Sequence, residues 1–245
     1  MNKTYLYPYS AEEARRRNEM SLWRASHKAN LACKEEIELA IGTHFDGTHL
    51  EEGCAEGVIR EYGYKRVQWV LSHTIQQLDW SDRFSQANKE WARQTYIPKD
   101  RAYVTDLIIV SDPAIVDLFA TQFQCAYQEL GLFGPNQCEP NSFEKLDYEG
   151  KVLVLSSDTL KETYWTPQAQ LWYAHDGFGC SPKAIGRSIR CTCLGDGEMT
   201  RWNRTDFIGA LKDEFLPEWA KEKLMELKGQ EQNNDSPAMG GMTME

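Results

Sequence analysis

The chemistry this chain could perform rests with its seven cysteines and five histidines, and the densest group lies between Gln168 and Leu211. A thiolate becomes a useful nucleophile when an imidazole takes its proton and a carboxylate orients the ring. Cys180, His175 and Asp176 supply those three types within AHDGFGC, which makes them the candidate catalytic residues. Residue type is all that supports them. His175, Cys180, Cys191 and Cys193 also form a permissible zinc set, but Cys191 and Cys193 alternate along the strand RSIRCTCL, roughly 6.5 Å apart at Cα. With Ile189 they read as one buried face, and no metal or cofactor is expected. Gly177-Phe178-Gly179 does not continue as a phosphate cradle: Pro182 stands where a third glycine is needed, and no GK[ST] follows. The two glycines read as turn formers.

A second group, His44, Asp46, His49 and Cys54, has side chains of metal-ligand type. The spacing His-x4-His matches no compact zinc pattern, and no metal is expected here either. HExxH, GxSxG, kinase and deaminase signatures are all missing from the sequence. Chemistry of this kind points away from an enzyme.

A third group is spread along one helical face. Glu19, Trp23, His27, Asn30 and Lys34 recur at steps of three and four, giving a polar and aromatic stripe. Trp and His supply contact area and directional hydrogen bonds, so Trp23, His27, Asn30 and Lys34, with Trp69 and His73 on a later helix, are the candidate binding residues. The plainer alternative is that Trp23 packs at a core margin. Arg15-Arg16-Arg17 and a helix-turn-helix outline raise nucleic-acid binding as a further alternative. Glu12, Glu13 and Glu19 flank that run, and the second helix brings only Lys65 and Arg66 to phosphates.

These groups must be held by regular elements. Ser10 and Glu13 make a capping box for a helix running from Ala11 to Ile41, with Leu22, Ala25, Ala29, Cys33, Ile37 and Ala40 as its apolar stripe. GTHFDG breaks it, a helix over 50–62 follows, and Gly63 separates that from one over 64–78 whose buried side is Val67, Val70, Leu71, Thr74, Ile75 and Leu78. A short helix over 85–94 and a strand over 104–110 come next, then a helix opened by Ser111-Asp112-Pro113 and closed by Gly131. From Lys151 the period changes to two: strands are expected over 151–155, 171–174, 187–194 and 198–202, then helices over 207–215 and 218–227.

The expected fold class is therefore α+β, a helical N-terminal half followed by a small antiparallel β-sheet with C-terminal helices. Residues 1–135 form a mainly helical domain, 136–150 a linker, 151–228 a small α+β domain, and 229–245 a disordered tail. The formal charge of −10 argues against a broad nucleic-acid footprint. No signal peptide or 18-residue apolar run is present, and the odd cysteine number lacks a CxxC pair, so a cytoplasmic protein with reduced thiols and no membrane contact is expected.

Long phrases, among them YLYPYSAEEARRRNEMSLWRASHKANLACKEEIE, HLEEGCAEGVIREYGYKRVQWVLSHTIQ and QLWYAHDGFGCSPKAIGRSIRCTCLGDGEMTRWNRTDFIGAL, resemble the domain-of-unknown-function family 3849 over nearly everything before the tail. The resemblance implies a context, that of accessory proteins on integrative and conjugative elements of anaerobic gut bacteria, and supplies no catalytic residues. The leading expectation is a cytosolic accessory protein of a mobile genetic element that binds another protein, with an anti-defence or transfer-related role. The alternatives are an enzyme or metal protein centred on His175 and Cys180, and a nucleic-acid-binding protein.

Overall fold

The computed structural model describes residues 5–100, 106–139, 146–182 and 186–234. The chain divides into two compact units, Met1–Glu129 and Leu130–Glu245.

The first unit is helical: α1 (Ala11–Arg16), α2 (Met20–His44), α3 (Cys54–Tyr62), α4 (Tyr64–Gln77), α5 (Gln86–Arg93) and α6 (Pro113–Gln128). The single helix expected over 11–41 is two. Asn18 takes a left-handed φ of 58°, a conformation asparagine tolerates better than most residues, and ends α1 there. The Ser10 hydroxyl accepts from the Glu13 N–H as expected, while the Tyr7 hydroxyl donates to Glu19 at 2.6 Å and fixes the start of α2.

The buried face of α2 is also turned from the expected one. Trp23, Ser26, Asn30, Cys33, Ile37 and Ile41 face inward, and Leu22 is 50% exposed. Polar residues sit inside because they are bonded there, which removes most of the cost of burying them. The Tyr7 N–H donates to the Ser26 hydroxyl at 3.0 Å, and buried Arg66 donates to the Ser26 carbonyl at 3.1 Å and to the Asn30 side chain.

α4 is covered nearly all round, from Arg66 and Val67 through to Ile75, and is the central helix of the unit. At the start of α6 the Asp112 carboxylate accepts from the Ala114 N–H, with Pro113 in the first turn, as the sequence predicts. The strand expected over 104–110 is absent among its described residues, 106–110, which form turn and coil; positions 104 and 105 lie outside the described residues. Leu107 and Ile109 plug the helical core, and the Ile109 N–H donates to the Thr74 hydroxyl instead of to a strand edge. A β-branched run makes a strand only where such an edge is offered.

The second unit is a five-stranded antiparallel sheet in the order β4-β3-β2-β1-β5, built from β1 (Val152–Leu155), β2 (Leu171–Asp176), β3 (Ser188–Cys193), β4 (Met199–Asn203) and β5 (Phe207–Ala210). A short α7 (Pro167–Gln170) precedes β2, and α8 (Glu218–Asn234) closes the unit. Alternation sorts the side chains. Leu153, Leu155, Trp172, Ala174, Ile189, Cys191 and Cys193 share one core, and Val152, Val154, Leu171 and Tyr173 face another, against which α8 lays Trp219, Leu224 and Leu227.

The helix expected over 207–215 is the strand β5, paired with β1 through Leu153↔Ala210 and Leu155↔Phe207. Residues 229–234, expected in a disordered tail, continue α8. The described part of the expected linker is folded into the unit: Cys138 bridges to Leu211, and Tyr148 is fully buried.

The sheet cannot be flat. β4 and β5 are its opposite edges, which in a flat sheet lie roughly 19 Å apart. Only the 3-10 turn Arg204–Asp206 joins them, and so short a link reaches roughly 14 Å even when fully extended. The strands therefore curl toward a small open barrel, bending at the irregularities between Val154 and Leu155 and between Ala174 and Asp176. The joining turn is tied on both sides: Arg204 N–H donates to the Arg187 carbonyl at 3.0 Å, and Ser156 N–H to the Asp206 carbonyl at 2.9 Å.

Candidate functional site

His175, Asp176 and Cys180 stand close in sequence at the end of β2, but each is engaged elsewhere. His175 Nε2 meets the Thr192 hydroxyl at 2.6 Å. Asp176 pairs with Arg190 at 2.5 Å, across the β2–β3 register. Cys180 is buried; burial first, then the carboxylates of Asp147, Glu149 and Asp176, push its thiol up to about 11. A thiol so raised carries almost no thiolate at neutral pH. Gly177 and Gly179 make the turn between the strands. A Cβ on Gly179 would fall 2.5 Å from the Arg187 carbonyl oxygen, and Gly177 has φ +122°.

The stripe read as a recognition face is largely covered, with Trp23 and Asn30 buried and His27 and Lys34 half-buried. Trp23 stacks on His27 at 5.0 Å and 9°, and burial holds the His27 pKa below its ordinary value against the pull of Asp106 and Asp100. Asn30 accepts from Arg66, and Lys34 pairs with Glu38 at 3.2 Å. Trp69 repeats the arrangement on His73, at 5.6 Å and 7°, and both are buried. The sequence carries the duplication as Trp23-x-x-Ser26-His27 and Trp69-x-x-Ser72-His73, with each serine buried between. The spacing that looked like a binding surface is the packing rule of two neighbouring core helices: residues four apart stack on one face.

The exposed chemistry lies at the C-terminal end of α2. There the chain forms a small hairpin. Phe45 bridges Leu50, the Asp46 N–H donates to the His49 carbonyl at 3.1 Å and the Glu51 N–H to the His44 carbonyl at 3.0 Å. Gly47, with φ +101°, is the first turn residue, where hairpin turns favour glycine. Alternation in that register puts the side chains of Phe45 and Leu50 toward the core and those of His44, Asp46, His49 and Glu51 on the other face. From α6, Gln122 Nε2 donates to the Glu51 carbonyl at 2.9 Å and pins the returning arm.

The result is a recess of about 390 Å³ lined by Thr43, His44, Phe45, Asp46, His49 and Glu51. His44 Nδ1 lies 2.6 Å from a Glu51 carboxylate oxygen. An ionised carboxylate only accepts, so Nδ1 carries the proton. Asp46 Oδ1 accepts from the Thr48 N–H, the Thr48 hydroxyl and the His49 N–H at 2.8, 2.9 and 2.7 Å. Those bonds, the His49 amide foremost, bring the Asp46 pKa down to about 2. Since the Thr48 hydroxyl gives its proton to Asp46, it accepts from His49 Nδ1 at 2.9 Å. Each imidazole thereby carries a proton on Nδ1 and spends it inside the hairpin, which leaves Nε2 outside these bonds.

The sequence weighs three of these residues with Cys54 as a metal set, and no metal is expected from their spacing. Cys54 is buried, and Glu51 takes the fourth place. Among the described residues no group of three His, Cys, Asp or Glu side chains is arranged to hold a metal ion. The signal that finds the site is the mirrored alternation His-Phe-Asp, Gly-Thr, His-Leu-Glu. Among the described residues no helix is long and apolar enough to cross a membrane.

Residues 6–128 match the family described as protein of unknown function (DUF3849), and the chain belongs to that family. The match ends one residue short of the helical unit's own boundary at Glu129, so it covers less than the long phrases implied and leaves out His175 and Cys180. The hairpin recess lies within it. No curated protein and no solved structure matches the chain.

Proposed function

We propose that this chain is a cytosolic binding protein, an accessory of a mobile genetic element in the sense its family resemblance implies, and that it engages a protein partner through the α2 hairpin recess. One observation carries the reading: within the family-matched part, four exposed polar side chains converge on one recess and are already oriented by their own hydrogen bonds. Pre-orientation lowers the ordering cost of binding. The enzyme alternative at His175 and Cys180 is weakened by a buried, protonated thiol, and the candidate surface at Trp23 and Trp69 by its role in the core.

The test is affinity capture from cells carrying the element, using the full chain, the double variant His44→Ala/His49→Ala, and Cys180→Ser. A partner retained by wild type and Cys180→Ser but lost by the double variant supports the reading. Partner sets that are the same for all three would remove the recess from consideration, and a partner lost only by Cys180→Ser would move the site to the second unit.

A further inference from the structure

We infer that the hairpin recess takes a donor-rich cation, the guanidinium or ammonium of a basic side chain carried by the partner. The inference rests on the binding reading above and names the chemistry of what binds. The charged groups the recess still has to offer, the Asp46 and Glu51 carboxylates, are acceptors, and the Thr43 hydroxyl can accept as well as donate. His44 and His49 each spend Nδ1–H inside the hairpin, on Glu51 and on Thr48, which leaves Nε2 of each outside those bonds. Asp46 keeps its second carboxylate oxygen clear of the three bonds that Oδ1 accepts. Glu51 likewise uses Oε2 on His44, leaving Oε1.

Charge points the same way. Asp46 and Glu51 are the charged side chains of the lining, and neither Lys nor Arg occurs among the described residues that line it. The recess also sits at the end of α2, a 25-residue helix whose last residue is His44, where the final carbonyls add partial negative charge. An anion would meet the like charge of Asp46 and Glu51. A guanidinium presents a planar fork of donors and an ammonium three.

The probe is a short Gly/Ser peptide with one central arginine, titrated into the full chain while the imidazole nitrogen signals of His44 and His49 are followed by NMR. Saturable movement of both Nε2 signals is expected, weaker by about three- to tenfold when citrulline, the neutral isostere, replaces arginine, because two exposed carboxylates each add a modest charge contribution. Glu51→Gln should weaken arginine binding and leave the citrulline peptide unchanged; this exposed position gives no reason for the fold to fail. Equal binding of the two peptides overturns the inference, as does preference for a glutamate peptide. Saturation by spermidine but by no peptide keeps the cationic recess and overturns its protein-borne source. Absence of binding by any probe overturns the inference alone, since dependence of capture on His44 and His49 is read separately.

Discussion

The guanidinium carbon of Arg204 lies 3.7 Å from the centroid of the Tyr148 ring, and both side chains are buried. The same guanidinium donates to the carbonyls of Gly179 and Cys180, each at 2.9 Å, and of Leu146 at 2.7 Å. One side chain from the 3-10 turn thus satisfies three carbonyls, two from the β2–β3 turn and one from the segment before β1. Arginine is suited to this because its fork spans several acceptors at once and stacks on an aromatic face. Replacement of Arg204 by methionine keeps much of the bulk but leaves the three carbonyls without these donors, and should destabilise the second unit by about 3 kcal/mol. Chemical unfolding gives the loss, and hydrogen exchange should place it in 146–155 and 177–182.

The stacked Trp–His pairs should behave as core. Trp69→Ala is expected to cost about 3–5 kcal/mol, the usual cost of emptying a buried aromatic site. Trp80→Ala, at a position 79% exposed, should stay within about 0.5 kcal/mol. Thermal melts of the two variants decide this. Similar shifts would mean that Trp69 is not buried as described.

The hairpin should respond to Glu51 and Asp46 in its geometry more than in its stability. Glu51→Ala removes the acceptor that holds His44 as the Nδ1–H tautomer, so the imidazole nitrogen shifts of His44 should move toward a mixture, with the unfolding free energy changed by no more than about 0.5 kcal/mol. Asp46 has a depressed pKa, so its ordering bonds are complete above the ordinary carboxylate range and are lost as pH falls toward about 2. Once allowance is made for intrinsic rates, amide exchange at Thr48 and His49 should quicken over that interval. Asp46→Ala should show the quickened exchange at every pH.

Thiol reactivity separates sharply by position. Cys125 is exposed, and Cys33, Cys54, Cys138, Cys180, Cys191 and Cys193 are buried. Burial raises Cys33 and Cys191 to about 12 and Cys180 and Cys193 to about 11. Alkylation of the native protein near neutral pH should label Cys125 alone, the other six reacting only under denaturant. An acid whose folded pKa is raised stabilises the fold fully below its unfolded value and loses that contribution as pH climbs through the folded value. Stability should therefore fall above about pH 9, and the six hidden thiols should become reactive over the same range.

Local signals carried much of this fold from the sequence. Ser10, Asp112 and Gly63 mark helix ends with chemistry that works within a few residues, and the period-two run at Ile189, Cys191 and Cys193 identifies a buried strand face. β5 was hidden for the opposite reason. Thr205-Asp206 before an apolar run reads locally as a helix cap, whereas Phe207–Ala210 is a strand because β1, some fifty residues earlier, offers it an edge. The same distinction applies at the site. Ligand type alone sets His44, Asp46 and His49 beside Cys54 and, finding no metal spacing, leaves them aside; only the hairpin register shows that Glu51 stands opposite His44. The polar stripe on α2 misled for a related reason: buried Asn30 has its partner, Arg66, on another helix.

β1 is apolar on both faces, Val-Leu-Val-Leu, and fully covered. It gains one neighbour from β2 and the other only from β5, at Phe207–Ala210. During synthesis nearly the whole unit must leave the ribosome before that second edge is covered, so the unit has a high contact order and should fold more slowly than the helical one. Any chain cut after Asn203 would expose this edge permanently. Such a four-residue hydrophobic strand with an open ladder is a template for self-association, and truncation products ending there should be found in aggregates.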